Sequence, residues 1–209
     1  IFAVAAPKAD VDKAKKEKKK PEESPKPGLG VLDLTSGTVF TAPRVKNFKV
    51  PEESGKFVAY LLEAPEKKAD VKPETKPEPK PEPKADEPKK PKEKKKDPGT
   101  DLIVRELATG TQATITEVVE YVWAKDGNWL AFGTASSAKT PDKDGAFARR
   151  ADGVTKTLLS GLGHYKGFAF DDKGTQLSFL SDREAYKDNP ATYRLYPWQT
   201  TAEAATELV

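Results

Sequence analysis

The sequence predicts an all-β protein, a partial β-propeller of about three to four blades of four antiparallel strands, with two disordered charged insertions. Three observations predict it. A strand–turn–strand segment recurs: Phe48 to Tyr60, Val122 to Phe132 and Phe168 to Phe179 each run from an apolar strand through a polar turn closing on Gly into a second strand. A second hairpin type interleaves with it, in Val31 to Phe40, Ile103 to Gln112 and, more weakly, Phe147 to Val154. The spacing then fits blades. Gly55 and Gly127 lie 72 residues apart, 37 once the 35 residues 65–99 are set aside, and Gly127 and Gly174 lie 47 apart. Two hairpins in each such interval make four short strands, and propeller blades repeat every roughly 40–50 residues. A β-sandwich also has short, regularly spaced strands, but nothing obliges its hairpins to repeat in sequence.

The elements follow in order, with strands a to d running outward from the axis. Residues 1–6 are strand b of a first blade, with c at 29–34 and d at 38–44. The second blade has a at 46–50, b at 56–62, c at 101–106 and d at 112–117. The third has a at 119–123, b at 129–133, c at 145–150 and d at 154–159. The fourth has a at 166–170, b at 176–180, c at 192–196 and a last strand at 205–209. In the a-to-b turns Gly55, Gly127 and Gly174 are expected to supply the positive φ that short hairpins need. The organisation is therefore propeller over 1–64 with an insertion at 8–27, a Lys/Pro/Glu-rich insertion at 65–99, and two further blades over 100–209.

Both insertions fall between strands b and c of successive blades. Antiparallel strands alternate direction, so b-to-c and d-to-a loops share one face and the tight Gly turns share the other. The insertions contain only six apolar residues, Ala9, Val11, Ala14, Ala69, Val71 and Ala85, too few to offset the entropy of ordering. Each carries a net +3 and the rest of the chain −3, which gives the overall +3. Residues 8–20 lack Pro and can form a transient helix. The alternating Pro of residues 76–83 favours an extended polyproline arm. The Lys residues alternate with Glu and Pro and have no Arg or aromatic neighbours, so solvated spacers fit better than specific nucleic-acid recognition.

The chemistry on offer is sparse. The chain has no Cys, which removes thiol catalysis and Cys-ligated metal sites, and no apolar run reaches the roughly 20 residues that span a membrane. His164 is the only His, and no G-x-S-x-G elbow occurs. His164 reads as an ordinary loop residue of Gly161 to Gly167, a stretch that leads into a strand and does not match a dinucleotide-binding fingerprint. Asp142-Lys143-Asp144-Gly145 lacks the later ligands of a calcium loop and reads as a polar turn. No catalytic, cofactor-binding or metal-ligating residue is assigned. Ser181-Asp182-Arg183 follows the last b strand. It reads as an Asp–Arg contact at a strand end, with Arg183 facing a substrate channel as the functional alternative.

Several of these segments resemble the propeller repeats of bacterial prolyl oligopeptidase family serine peptidases. They are Leu177 to Arg183, the preceding Phe168 to Gly174, Val104 to Gly110, and the ending Tyr193 to Trp198. The Lys-rich inserts after Ala5-Ala6-Pro7 and after Leu62-Glu63-Ala64-Pro65 are similar in style. The resemblance implies a propeller that admits short or unfolded peptides to a Ser-Asp-His triad in a C-terminal α/β-hydrolase domain, a partner absent from this sequence. It also implies periplasmic or extracellular location. The chain starts inside an apolar run and contains no Met, so it is read as a piece of a longer protein. The same repeat style occurs in Tol-type and WD-like propellers, which leaves an exported binding scaffold as the alternative.

Overall fold

The computed structural model describes residues 1–19, 24–64, 98–136 and 143–208. Most of insertion 65–99, namely 65–97, lies outside the described residues, as does Asp142. The strands form successive antiparallel meanders. Blade 1 contains β1 (Phe2–Val4), β2 (Gly28–Leu32) and β3 (Val39–Ala42). Blade 2 contains β4 (Val45–Lys49), β5 (Phe57–Leu62), β6 (Thr100–Glu106) and the first part of β7 (Gln112–Trp123). Blade 3 takes the second part of β7, then β8 (Trp129–Thr134), β9 (Gly145–Arg150) and β10 (Thr155–Ser160). Blade 4 contains β11 (Tyr165–Phe170), β12 (Gln176–Ser181) and β13 (Arg194–Gln199).

Strand β7 does two jobs. Gln112 to Ile115 pair with β6 as an outer strand, and Val118 to Trp123 pair with β8 as an inner one. Between them Glu117 takes φ 61°. Arg44, between β3 and β4, takes φ 58°, and Gly161, between β10 and β11, takes φ 122°. A left-handed residue thus turns the chain at each passage from one blade to the next. This joins blades 2 and 3 through β7 into a continuous seven-stranded sheet.

Three apolar cores lie between the blades, and the two-residue period of a strand explains them. Val58 and Tyr60 of β5 face blade 1, where they meet Leu29 and Ala42. Ala59 and Leu61 of the same strand face blade 3, against Tyr121 and Leu130. Trp129 and Ala131 of β8 face blade 4, where Phe179, Tyr196 and Trp198 complete the third core. Strands β5 and β8 are therefore buried on both faces and read as nearly continuous apolar runs, Phe57-Val58-Ala59-Tyr60-Leu61-Leu62 and Trp129-Leu130-Ala131-Phe132.

Three expectations need adjusting. The first insertion opens with a helix, α1 (Lys8–Lys16). It starts directly after Pro7, with Asp10 in its first turn and Lys13, Lys15 and Lys16 in its last, the charge order that the helix dipole favours. Ala14 on this helix is buried. Gly127 and Gly174 have positive φ, but Gly55 does not. The turn of blade 2 carries one more residue between its paired positions Lys49 and Ala59 than that of blade 3 between Val122 and Ala131, so it closes without a left-handed residue. The last expected strand, 205–209, is not regular over its described part. Thr206 N still donates to Pro197 O at 3.2 Å and Leu208 N to Leu195 O at 2.9 Å, an antiparallel register against β13.

The described ends of both insertions meet on one face. Val45 N donates to Pro27 O at 2.9 Å, Glu63 N to Arg44 O at 2.8 Å, and Lys26 Nζ lies 3.9 Å from Glu63. The Gly turns emerge at the opposite ends of the strands. There Lys125 of blade 3 pairs with Asp172 of blade 4 at 2.6 Å and lies 3.9 Å from Glu52 of blade 2.

Candidate functional site

A buried polar cluster sits on the insertion face, between blades 3 and 4. It grows from a repeated backbone link. In blades 2 and 3 the residue after strand b donates to the left-handed residue that precedes strand a: Glu63 N to Arg44 O, and Ala135 N to Glu117 O, both at 2.8 Å. In blade 4 the corresponding position is Asp182, and its side chain makes the link instead. Oδ1 accepts from His164 N at 2.7 Å and Oδ2 lies 2.8 Å from His164 Nδ1. Asp182 is 1% exposed, so its carboxylate is removed from water and oriented wholly by these contacts.

The surroundings reinforce this. Asp144, fully buried, accepts from Ser136 N at 2.7 Å and Ser136 Oγ at 2.8 Å, which closes the b-to-c connection of blade 3. The Tyr186 ring packs on His164 with centroids 5.3 Å apart. Burial pushes the Tyr186 hydroxyl pKa up, and the nearby charges of Asp144 and Asp182 add to the shift. Tyr165 donates to Gly161 O at 2.7 Å, and burial raises its pKa well above the ordinary tyrosine value.

Arg183 does not pair with Asp182. Its side chain bonds Glu184, its Nη1 donates to Ser160 O at 3.0 Å, and its backbone N donates to Ser181 Oγ at 3.2 Å, opening the 3-10 turn Arg183–Ala185. The expected Asp–Arg contact is thus an Asp182–His164 pair beside an Arg183–Glu184 pair. The cause is local: the 3-10 turn carries Arg183 over Gly161 and Gly163, where a Cβ would meet Arg183 atoms at 3.0 Å. Sequence reasoning placed His164 in a loop and passed over its partner. The available signal was positional, since Asp182 aligns with Glu63 and Ala135 immediately after strand b.

Chemically the cluster is an acceptor-rich anchor. The Ser181 hydroxyl is committed to the 3-10 turn and the Asp182 carboxylate to His164. The cluster holds one b-to-c connection, the d-to-a passage and the start of the next 3-10 turn in fixed relation. Among the described residues no group of three or more His, Asp or Glu side chains could hold a metal ion, and no helix is long and apolar enough to cross a membrane.

No family model matches the sequence, and no curated protein matches it. Solved structures do resemble it. The β-propeller domain of the Trilobed protease from Pyrococcus furiosus superposes with TM-score 0.47 at 15% identity, covering 77% of this chain and 41% of that one. The acylaminoacyl peptidase of Pyrococcus horikoshii gives TM-score 0.46 at 10% identity, covering 79% of this chain and 24% of that one. A structure from work on two prolyl endopeptidases gives TM-score 0.47 at 16% identity, covering 91% of this chain and 26% of that one. The chain thus spans well under half of the length of each of these structures. With TM-scores below 0.5 these likenesses carry no weight of their own, and the propeller assignment rests on the strand order and the three inter-blade cores.

Proposed function

We propose that this chain is a non-catalytic, substrate-gating part of the β-propeller of a prolyl oligopeptidase-like serine peptidase. Peptide-bond hydrolysis would belong to an α/β-hydrolase domain outside this sequence. The observation that carries the reading is the blade architecture itself: meanders packed face to face, with a polar anchor at the Leu177 to Arg183 segment that resembles the family's repeats. The absence of a G-x-S-x-G elbow in the sequence fits a gate. Arg183, held over the passage between blades 3 and 4, is the residue proposed to meet a peptide at the channel rim. Such an enzyme would work outside the cytoplasm.

The coding sequence beyond Val209 tests this directly. The expected result is a G-x-S-x-G motif followed by an Asp and a His, and a parent protein that cleaves short peptides but spares folded ones. A stop codon after the last blade overturns the peptidase reading and leaves a propeller that binds proteins or ligands.

A further inference from the structure

Blades 1 and 4 each leave one sheet face without a neighbouring blade, and the repeat shows what those faces are built to meet. In β5, β8 and β12 the fourth residue is aromatic: Tyr60, Phe132 or Phe179. Each faces the preceding blade and is buried in the core shared with it. Blade 1 carries the same anchor. Asp33 N donates to Thr38 O as Glu106 N donates to Thr111 O, which aligns Gly30 of β2 with Ile103 of β6. Ile103 pairs with Tyr60 and Gly30 pairs with Phe2, so Phe2 holds the place of Tyr60. Its ring lies over Gly30, where a Cβ would meet it at 2.3 Å. Yet Phe2 is 45% exposed. Leu32, two residues beyond Gly30, and its cross-strand partner Val39 share this face and are exposed as well.

The free face of blade 4 resembles the faces that receive such rings. The residue before each ring faces the following blade. Ala59 and Ala131 are fully buried at this place, in the cores that hold Phe132 and Phe179. Ser178 is the small residue there in blade 4. One row further, blade 2 pairs Leu61 with Leu102 and Leu102 with Ile115, an apolar row that packs in the core shared with blade 3. Blade 4 repeats the row. Leu180 pairs with Leu195, and Leu208 N donates to Leu195 O. Leu195 and Leu208 are exposed, and the row is charged only at its inner end, where Lys166 pairs with Leu180. Exposed apolar faces of this kind mark interaction surfaces.

We propose that the blade 1 face docks on the blade 4 face of a second copy of this chain. Phe2 then shares a core with Ser178 of the other copy, as Phe132 does with Ala59, and the new interface continues the three already present. The two faces differ, so the contact runs head to tail, and such contacts close into a ring when the rotation allows. Two copies supply eight blades, within the roughly four to eight with which propellers close. Both free faces are buried in that ring. The inference concerns these two faces and does not rest on the peptidase reading.

Sedimentation equilibrium of the 209-residue chain is the test, and the expected mass is that of two chains. Phe2→Lys and Leu195→Lys should each be monomeric. Each variant spoils both interfaces of its own ring, at about 30-fold apiece, so association weakens about thousandfold. An equimolar mixture of the two variants should recover a dimer, weaker than the parent, because each still offers the face that the other has lost. If Phe2→Lys fails to fold by circular dichroism, Val39→Lys takes its place in the mixture. A monomeric parent chain overturns the inference and leaves both faces to blades of a different or longer polypeptide. A dimer in either variant alone means that like faces pair, and a mass that keeps growing with concentration means that no ring closes. Either result, or a folded mixture that stays monomeric, also overturns it.

Discussion

Asp182 combines near-complete burial with two hydrogen bonds to one residue, and both features set the cost of changing it. Asp182→Ala leaves His164 N without its acceptor and opens space beside a buried turn. A loss of about 1–3 kcal/mol is expected, the penalty for an unsatisfied buried group. Asp182→Asn keeps one oxygen for His164 N and should lose less; urea denaturation of the two variants checks the order. Gly133 is constrained by proximity instead. A Cβ there would sit 2.9 Å from Tyr165 O and 3.0 Å from the Phe168 ring, across the interface between blades 3 and 4. Gly133→Ala should force those blades apart at a cost of about 1–3 kcal/mol, visible as a lowered Tm. Neither role was legible from the sequence. Asp182 sat next to Arg183, which suggested the wrong partner, and the contact of Gly133 comes from a strand more than 30 positions away. Local pattern reports turns and alternation, while contacts across blades depend on how the sheets stack.

Among the elements, the passages between blades carry the most information. Glu117 and Arg44 hold left-handed backbone without being Gly, so their neighbours impose the conformation. A β-branched replacement, Glu117→Val, adds crowding at that φ and should cost about 1–2 kcal/mol, whereas Glu117→Gly should come out close to the parent in the same melt. The turns contribute differently. Asp33 accepts from Ser36 and Thr35, Asp171 from Gln176 and Thr175, and Asp152 pairs with Arg150, and each contact holds the carboxyl below its ordinary value of 3.8. A depressed folded-state pKa stabilises the fold above the unfolded value and ceases to as the acid is protonated. Lowering the pH from about 4 through this range should loosen the turns, seen as reduced protection of the Gly37, Gly153 and Gly174 amides relative to their intrinsic exchange rates at each pH. Most strand positions were legible in the sequence to within a residue or two, because apolar runs and Gly turns mark both ends; β13, which has no Gly turn, runs three residues past the expected end at 196. The left-handed passages were not, since neither Arg nor Glu signals positive φ. The helix Lys8–Lys16 was legible only as a possibility, six of its nine residues being charged.

At the scale of the molecule, stability is organised by the three inter-blade cores. Trp198 is 2% exposed, meets Trp129 edge-on with centroids 5.2 Å apart, and donates Nε1 to Ala202 O at 3.1 Å. Trp198→Ala should remove about 3–5 kcal/mol from the interface of blades 3 and 4. Hydrogen exchange should then show β11 to β13 losing protection while β5 and β6 keep theirs; uniform loss across all four blades would contradict this division. The architecture itself was legible because two hairpin types recur along the chain, both in blades 2 and 3, the second alone in blade 1 and the first alone in blade 4. The allocation of alternate side chains to left and right neighbours follows once the blades are known to stack.

That allocation makes the chain a nearest-neighbour array. Blades 2 and 3 are each coupled on two sides, blades 1 and 4 on one side within the 209 residues. Such systems melt as sums of local units and couplings, with cooperativity set by the weakest link between adjacent units. A replacement that fills a gap at one interface therefore stiffens two blades together, and one that opens a gap can split the array into two independently melting halves.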